Sequence, residues 1–373
     1  MGLRRLQTGL MRARVRREIW RFSLGCGPWL LVLVFLFSSG LAHAQQVELT
    51  LTPEGRTLLE NALGQSEAEI EQRLATELEG LYGVADVRTF LRLSANAQSM
   101  SNKGIGVDYV SNPEGLLLGV AVNATADAGD VDLKEVRSVA GGAFERAVPV
   151  GAGAQISLMV GYNFTSEGLP GLTVFANGLA YPLRVSELDG EFYNLGFHGQ
   201  YRLFGPVGVP ALVEWGGLSL TTGLELSRAR LALDKSLRNE LQLGSAVGLH
   251  AITSGRLELV QRAVTIPFEV STNLRLLYFL SFFGGAAVDL QLGGAKTTLD
   301  VDSSLLATDG DGGEVDAGTA RILVDESGNP TAAMLRFMVG AQLNIGALRG
   351  FVQLNLHAAD LTLGVAAGAR IVL

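Results

Sequence analysis

Residues 332–373 read AAMLRFMVGAQLNIGALRGFVQLNLHAADLTLGVAAGARIVL. Apolar side chains fall at every second position: Leu335, Phe337, Val339, Ala341, Leu343 and Ile345. Met334, Arg336, Met338, Gly340, Gln342 and Asn344 stand between them. After the turn-like Gly346-Ala347-Leu348-Arg349-Gly350 the alternation restarts, with Val352, Leu354 and Leu356 opposing Gln353, Asn355 and His357. A third run sets Leu361, Leu363, Val365, Ala367, Ala369, Ile371 and Leu373 against Thr362, Gly364, Ala366, Gly368, Arg370 and Val372. A period of two places alternate residues on opposite faces of a strand. Three such strands with short turns between them are the pattern of a membrane β-barrel.

The other end of the chain supplies the context. Arg4, Arg5, Arg12, Arg14, Arg16, Arg17 and Arg21 form a basic leader, Trp29 to Phe37 is unbroken apolar sequence, and Ala42-His43-Ala44 follows. That order predicts a secretory signal peptide over 1–44, cleaved between Ala44 and Gln45. The apolar run falls short of the roughly 20 residues that span a bilayer as a helix. The sole cysteine, Cys26, lies in this leader, so no disulfide framework is expected in the exported chain. Its net charge moves from −8 to about −14 as seven arginines and Glu18 depart. Such a balance argues against nucleic acid or an anionic surface as partner. Only 18% of residues are charged and 47 are glycine, which suits a barrel that carries its apolar residues at alternate positions.

Residues 45–106 read differently and are expected to form an N-terminal helical segment, at the periplasmic rim or as a plug in the lumen. Thr52-Pro53-Glu54 is a helix start and Ser66-Glu67-Ala68-Glu69 a capping box. Ile70, Leu74, Leu78, Leu81 and Tyr82 recur at helical spacing, and a second run covers Val87, Phe90, Leu91 and Leu93.

Residues 107–373 are assigned to an all-β, antiparallel transmembrane barrel of about ten strands, within roughly eight to fourteen. The candidate strands are 115–125, 154–164, 171–181, 193–204, 211–232, 258–279, 284–301, 332–345, 349–358 and 361–373. The intervening segments alternate in length. Those at 165–170, 205–210, 280–283 and 346–348 are short, whereas 126–153, 182–192, 233–257 and 302–331 are long. Short periplasmic turns and long outer loops are the asymmetry of outer-membrane barrels. Tyr201, Phe204, Tyr278, Phe279, Phe282, Phe283 and Phe351 fall at the short-turn end, where interfacial aromatics are expected. An even strand number places the N-terminal segment at that same end.

No G-x-S-x-G elbow, Walker loop or H-E-x-x-H motif occurs, so no catalytic set and no cofactor are expected. His198, His250 and His357 lie on different elements; only His357 has a nearby carboxylate, Asp360. The string 309–316 offers Asp309, Asp311 and Asp316 as oxygen donors for a metal. Its spacing departs from an EF-hand, because Glu314 stands where the loop glycine is needed and Ala320 at the twelfth position. A solvated acidic loop is therefore the preferred reading. Inward-facing charges are expected at Arg202, Glu225, Glu269, Arg275, Asp289, Arg336 and Arg370. Arg or Lys on the lipid face costs about 2–4 kcal/mol at mid-depth. Of these, Arg202, Arg275, Asp289 and Arg370 are placed toward the periplasmic end, as a sealing network or a constriction.

The signal, the alternating strands at 154–164, 258–279 and 332–373, and the loop asymmetry resemble the outer-membrane β-barrel proteins of Gram-negative bacteria. The layout of a helical segment before a barrel is also similar to the long-chain fatty-acid transporters, whose N-terminal plug fills the lumen. The resemblance implies outer-membrane lipid and the barrel-assembly machinery as partners. It also implies passive passage of small or hydrophobic solutes. The alternative is a closed structural or surface-interaction barrel acting through its outer loops.

Overall fold

The computed structural model describes residues 45–82, 87–111, 115–129, 150–209, 212–241, 249–308, 313–358 and 361–373. The signal segment with Ala44, the acidic residues Asp309 and Asp311, and Asp360 lie outside the described residues.

Ten antiparallel strands form a closed ring. They are β2 (Leu116–Asp127), β3 (Gly151–Asn163), β4 (Leu172–Val185), β5 (Leu188–Phe204), β7 (Val213–Leu241), β8 (Leu249–Leu276), β9 (Leu280–Thr308), β11 (Ala333–Ile345), β12 (Leu348–His357) and β13 (Thr362–Val372). Each pairs with its neighbour in that order, and β13 closes on β2 from Thr362↔Asp127 to Val372↔Leu117. Three further strands lie off the ring: β1 (Gln45–Leu51), the short β6 (Val207–Val209) and β10 (Glu314–Gly328).

The alternation read in 332–373 is the alternation of exposure. Leu335, Phe337, Val339, Val352, Leu354, Leu356, Leu363 and Val365 are exposed outward. Met334, Arg336, Met338, Gln342, Gln353, Asn355, His357 and Arg370 are buried inside. The outward band continues around the ring through Leu118, Val120, Ile156, Leu158, Val160, Phe197, Leu220, Phe268, Val270, Val288 and Leu290. Soluble proteins rarely leave so continuous an apolar band facing water. Here acyl chains are its natural solvent, since a closed barrel satisfies every backbone donor and acceptor among its own strands. Phe283 and Phe351, expected among the interfacial aromatics, are instead inside and 4% exposed. Phe283 follows outward Phe282, and the strand period carries it to the other face.

Three strands outrun the ring. β7 and β8 remain paired as far as Leu241↔Leu249, and β8 and β9 as far as Leu249↔Ala307. β9 thus serves two partners: 280–290 pairs with β11, and 295–308 pairs with β10. The fork sits at Gly293, whose φ of +127° and close approach to the Arg262 carbonyl exclude a side chain. β1 adds to β10 in full register, Gln45↔Val324 to Leu51↔Gly318. The result is a five-stranded sheet, β7-β8-β9-β10-β1, projecting beyond the barrel wall.

Three expectations are corrected here. The segments 182–192, 233–257 and 302–331, read as loops, are mostly strand; 186–187 is a tight turn with Ser186 at φ 54°. Outside lipid a strand no longer needs one wholly apolar face, so the clean alternation that marks the wall is lost. β1 is a strand where helix was expected, because Val47, Leu49 and Leu51 pack inward on the projecting sheet. Residues 45–82 also stand at the end opposite the short turns.

The helices are α1 (Pro53–Leu63), α2 (Glu67–Tyr82) and α3 (Val87–Met100). Thr52 caps α1, its hydroxyl accepting the Gly55 N–H at 3.0 Å, and Gly64 ends it at φ 63°. At the start of α2 the Glu69 carboxylate reaches back and accepts both the N–H and the hydroxyl of Ser66, each at 2.8 Å, which is the side-chain half of a capping box. Leu59, Ile70 and Leu74 bury against Leu249, Ala251, Val301, Leu305 and Ile322 on the projecting sheet. No described helix is long and apolar enough to cross a membrane, which says nothing against strands doing so.

Candidate functional site in the barrel bore

The last helix does not stay with the other two. α3 enters the ring, and every residue of 93–111 is buried. Glycine at the mouth makes this approach possible. A side chain at Gly151 would strike the Leu93 carbonyl, and one at Gly328 the Arg92 amide. From Ser101 onward the chain is irregular, so its polar backbone groups must find partners in the wall.

They find them all around the ring. Thr125 donates to the Ala97 carbonyl at 2.8 Å, and Asn123 donates to the carbonyls of Met100 at 3.0 Å and Lys103 at 2.7 Å. Gln200 donates to the Asp108 carbonyl at 3.2 Å and Asn273 to that of Tyr109 at 2.9 Å. Arg370 donates to the Val107 carbonyl at 2.6 Å, and Gln342 to the Ser111 hydroxyl at 2.9 Å. These side chains belong to β2, β5, β8, β13 and β11. The inward residues that sequence reading classed only as polar are the seat of this inner segment.

At mid-bore the inner segment joins a charge cluster. The Lys103 ammonium lies 2.5 Å from Glu225 and 3.5 Å from Asp289. Arg336 donates to Asp289 at 2.7 Å, to Glu269 and, at 3.0 Å, to Asn355. The Tyr109 hydroxyl donates to the second oxygen of Glu269 at 2.9 Å. His357 Nε2 lies 3.4 Å from Asp289, and His198 Nε2 lies 3.8 Å from Glu225. Below this group Arg370 pairs with Asp108 at 3.4 Å and covers the Phe351 ring at 3.7 Å. Arg336 and Lys103 are no more than 1% exposed. Breaking a buried pair leaves a naked charge, and costs about 3–5 kcal/mol.

Of the seven inward charges expected from sequence, Glu225, Glu269, Asp289 and Arg336 come together here, and Arg370 stands beside them. Arg275 lies apart and pairs with Glu214 at 3.6 Å, while the Arg202 Nε has no hydrogen-bond partner among the described residues. The proposed network of Arg202, Arg275, Asp289 and Arg370 is therefore not one network. Asp289 pairs with Met334 on β11 and with Pro267 on β8, higher in the bore than Arg275, which pairs with Ser281 at the end of β8. Sequence reading missed Lys103, Asp108 and Tyr109. The signal that points to them is a charge count: the wall offers Glu225, Glu269 and Asp289 against Arg336 alone at this height. Another cation is called for, and Lys103 is it.

Asp316, the described residue among the three metal candidates, accepts the Gly318 N–H at 3.0 Å beside a strand bulge. Among the described residues no group of three or more His, Cys, Asp or Glu side chains could hold a metal ion.

A family model described as Lsa36-like matches residues 45–373. The chain belongs to the Lsa36-like family. The matched span begins at Gln45, the residue after the expected cleavage position. A search of curated proteins found no match. Among solved structures, the chain is similar to Ail of Yersinia pestis, at 9% identity and a TM-score of 0.23, over 69% of this chain and 99% of that one. It is similar to the translocator domain of the autotransporter NalP from Neisseria meningitidis, at 9% identity and TM-score 0.28, over 70% and 90%. Neisserial surface protein A gives 10% identity and TM-score 0.24, over 70% and 100%. At these scores the likenesses carry nothing about function. The closed ring with its outward apolar belt is that of an outer-membrane β-barrel.

Proposed function

We propose that this protein is a closed outer-membrane barrel that works as a structural and surface-presenting element rather than as a passive channel or an enzyme. Its partners are then outer-membrane lipid, met by the apolar belt, and the assembly machinery during biogenesis. The observation that carries the reading is the inner segment itself. Residues 93–111 are buried throughout and held by donors from β2, β5, β8, β11 and β13, with Lys103 paired to wall carboxylates. Passage of small or hydrophobic solutes would require these ties to part together. Presentation requires no movement.

Planar-bilayer recording on refolded protein tests this. The native chain is expected to give no steady conductance. A variant with residues 93–111 replaced by a Gly/Ser linker of equal length should conduct, since the polar wall would then face water. A steady native conductance would restore the passive-channel reading.

A further inference from the structure

We infer that residues 45–82 are displayed on the outer surface of the outer membrane, and that the chain reaches that side by crossing the membrane once inside its own barrel. The inference rests on the outer-membrane barrel reading and adds a sidedness to it.

The path can be followed against β11, which spans the ring from Ala333 to Ile345. Asn96 accepts the Thr331 N–H at 2.8 Å, just before β11 begins. Ser111 accepts from Gln342 at 2.9 Å, near the strand's far end. Between these two anchors the inner segment therefore descends most of the height of the wall. It emerges beside the C-terminus, where the Leu373 N–H donates to the Leu116 carbonyl at 2.8 Å as β2 starts. Ten strands bring the chain back to the same end. That end carries only compact connections, such as 164–171, 277–279 and 346–347. The other end has the tight turn 186–187 and the brief step from β12 to β13, but it alone carries the long excursions of β7, β8, β9 and β10. Long outer segments facing compact turns mark the compact side as periplasmic. The opposite end carries β1, α1, α2 and the projecting sheet. It follows that the exported N-terminus lies outside, at the opposite end of the barrel from where β2 begins its first crossing.

This arrangement constrains assembly. Two packed helices, each about 10–12 Å across with side chains, exceed the narrow interior of a ten-stranded ring. The N-terminal residues must cross unfolded, or before β13 meets β2. They fold afterwards on a template that the barrel supplies. β1 adds to the free edge of β10, and α1 and α2 then cover Leu249, Ala251, Val301, Leu305 and Ile322.

Cysteine accessibility tests the inference, and the chain downstream of the expected signal contains no native cysteine to confuse it. Gln72→Cys places a thiol on the exposed side of α2, and Ser166→Cys places one in the short connection before β4. Intact cells are treated with a membrane-impermeant maleimide, then again after the outer membrane is permeabilised. Gln72→Cys should react fully in intact cells, and Ser166→Cys only after permeabilisation. The reverse pattern would mean that the barrel is inserted the other way up, and would overturn the display. Protection of both until permeabilisation would overturn the crossing within the bore. Heat-modifiable migration on gels is recorded on the same samples. Its loss, with the protein soluble without detergent, would remove the barrel reading itself and not merely its sidedness.

Discussion

Arg336 is where the largest single-residue effect is expected. It is fully buried and answers two carboxylates: Glu269, whose other partner is the neutral Tyr109 hydroxyl, and Asp289, which it shares with Lys103. Arg336→Leu should lower stability by about 3–5 kcal/mol, the cost of leaving buried charge unpaired. Urea unfolding in detergent micelles, followed by band migration, measures it; a loss below about 1 kcal/mol would mean that water reaches the cluster freely. Glu69 shows the milder, pH-dependent case. The Ser66 N–H and hydroxyl hold its carboxyl below the usual range. A depressed carboxylate contributes stability that is present above the unfolded-state value and lost as pH falls through the folded one. The protection of amides in the first turn of α2, taken relative to the unstructured rate at each pH, should therefore fall below about pH 4, and Glu69→Gln should abolish that fall.

Elements tell more about what could be read from sequence. Most barrel strands were legible, because lipid outside and polar neighbours inside impose the period of two. The stretch 171–181 is weakly patterned and can be read as a loop, and β4 there does lose its clean alternation toward Val185. Where β7, β8 and β9 leave the membrane, that constraint ends. Their solvent face becomes a lattice of opposite charges, such as Arg321 with Asp300 at 2.9 Å and Arg256 with Asp234 at 3.2 Å. Sequence of this kind is hard to tell from loop. The side of the N-terminal helices was misread for a different reason. Counting strands fixes where β2 starts, but it cannot reveal that the chain has already crossed the bore to get there. Residues 101–111 have no periodicity to announce this; only the uncompensated wall carboxylates hint at a cation from elsewhere. One prediction belongs at this scale. α1 touches the projecting sheet through Gly55, where a Cβ would lie 2.4 Å from the Ala317 Cα. Gly55→Val should undock α1 and β1 at a cost of about 1–3 kcal/mol. Hydrogen exchange should rise across 45–63 while the barrel amides stay protected.

At the scale of the whole molecule, three strands of 28 or 29 residues run from the membrane into the projecting sheet. They cross the boundary without a linker, and β9 changes partner at Gly293 without interruption. Stump and superstructure are thus cut from the same timber. Whatever seizes the tip grips the membrane portion too, so tugging or tilting there is felt among the lipids directly, with no slack to take up first. A mast stepped in this way suits a load better than a search.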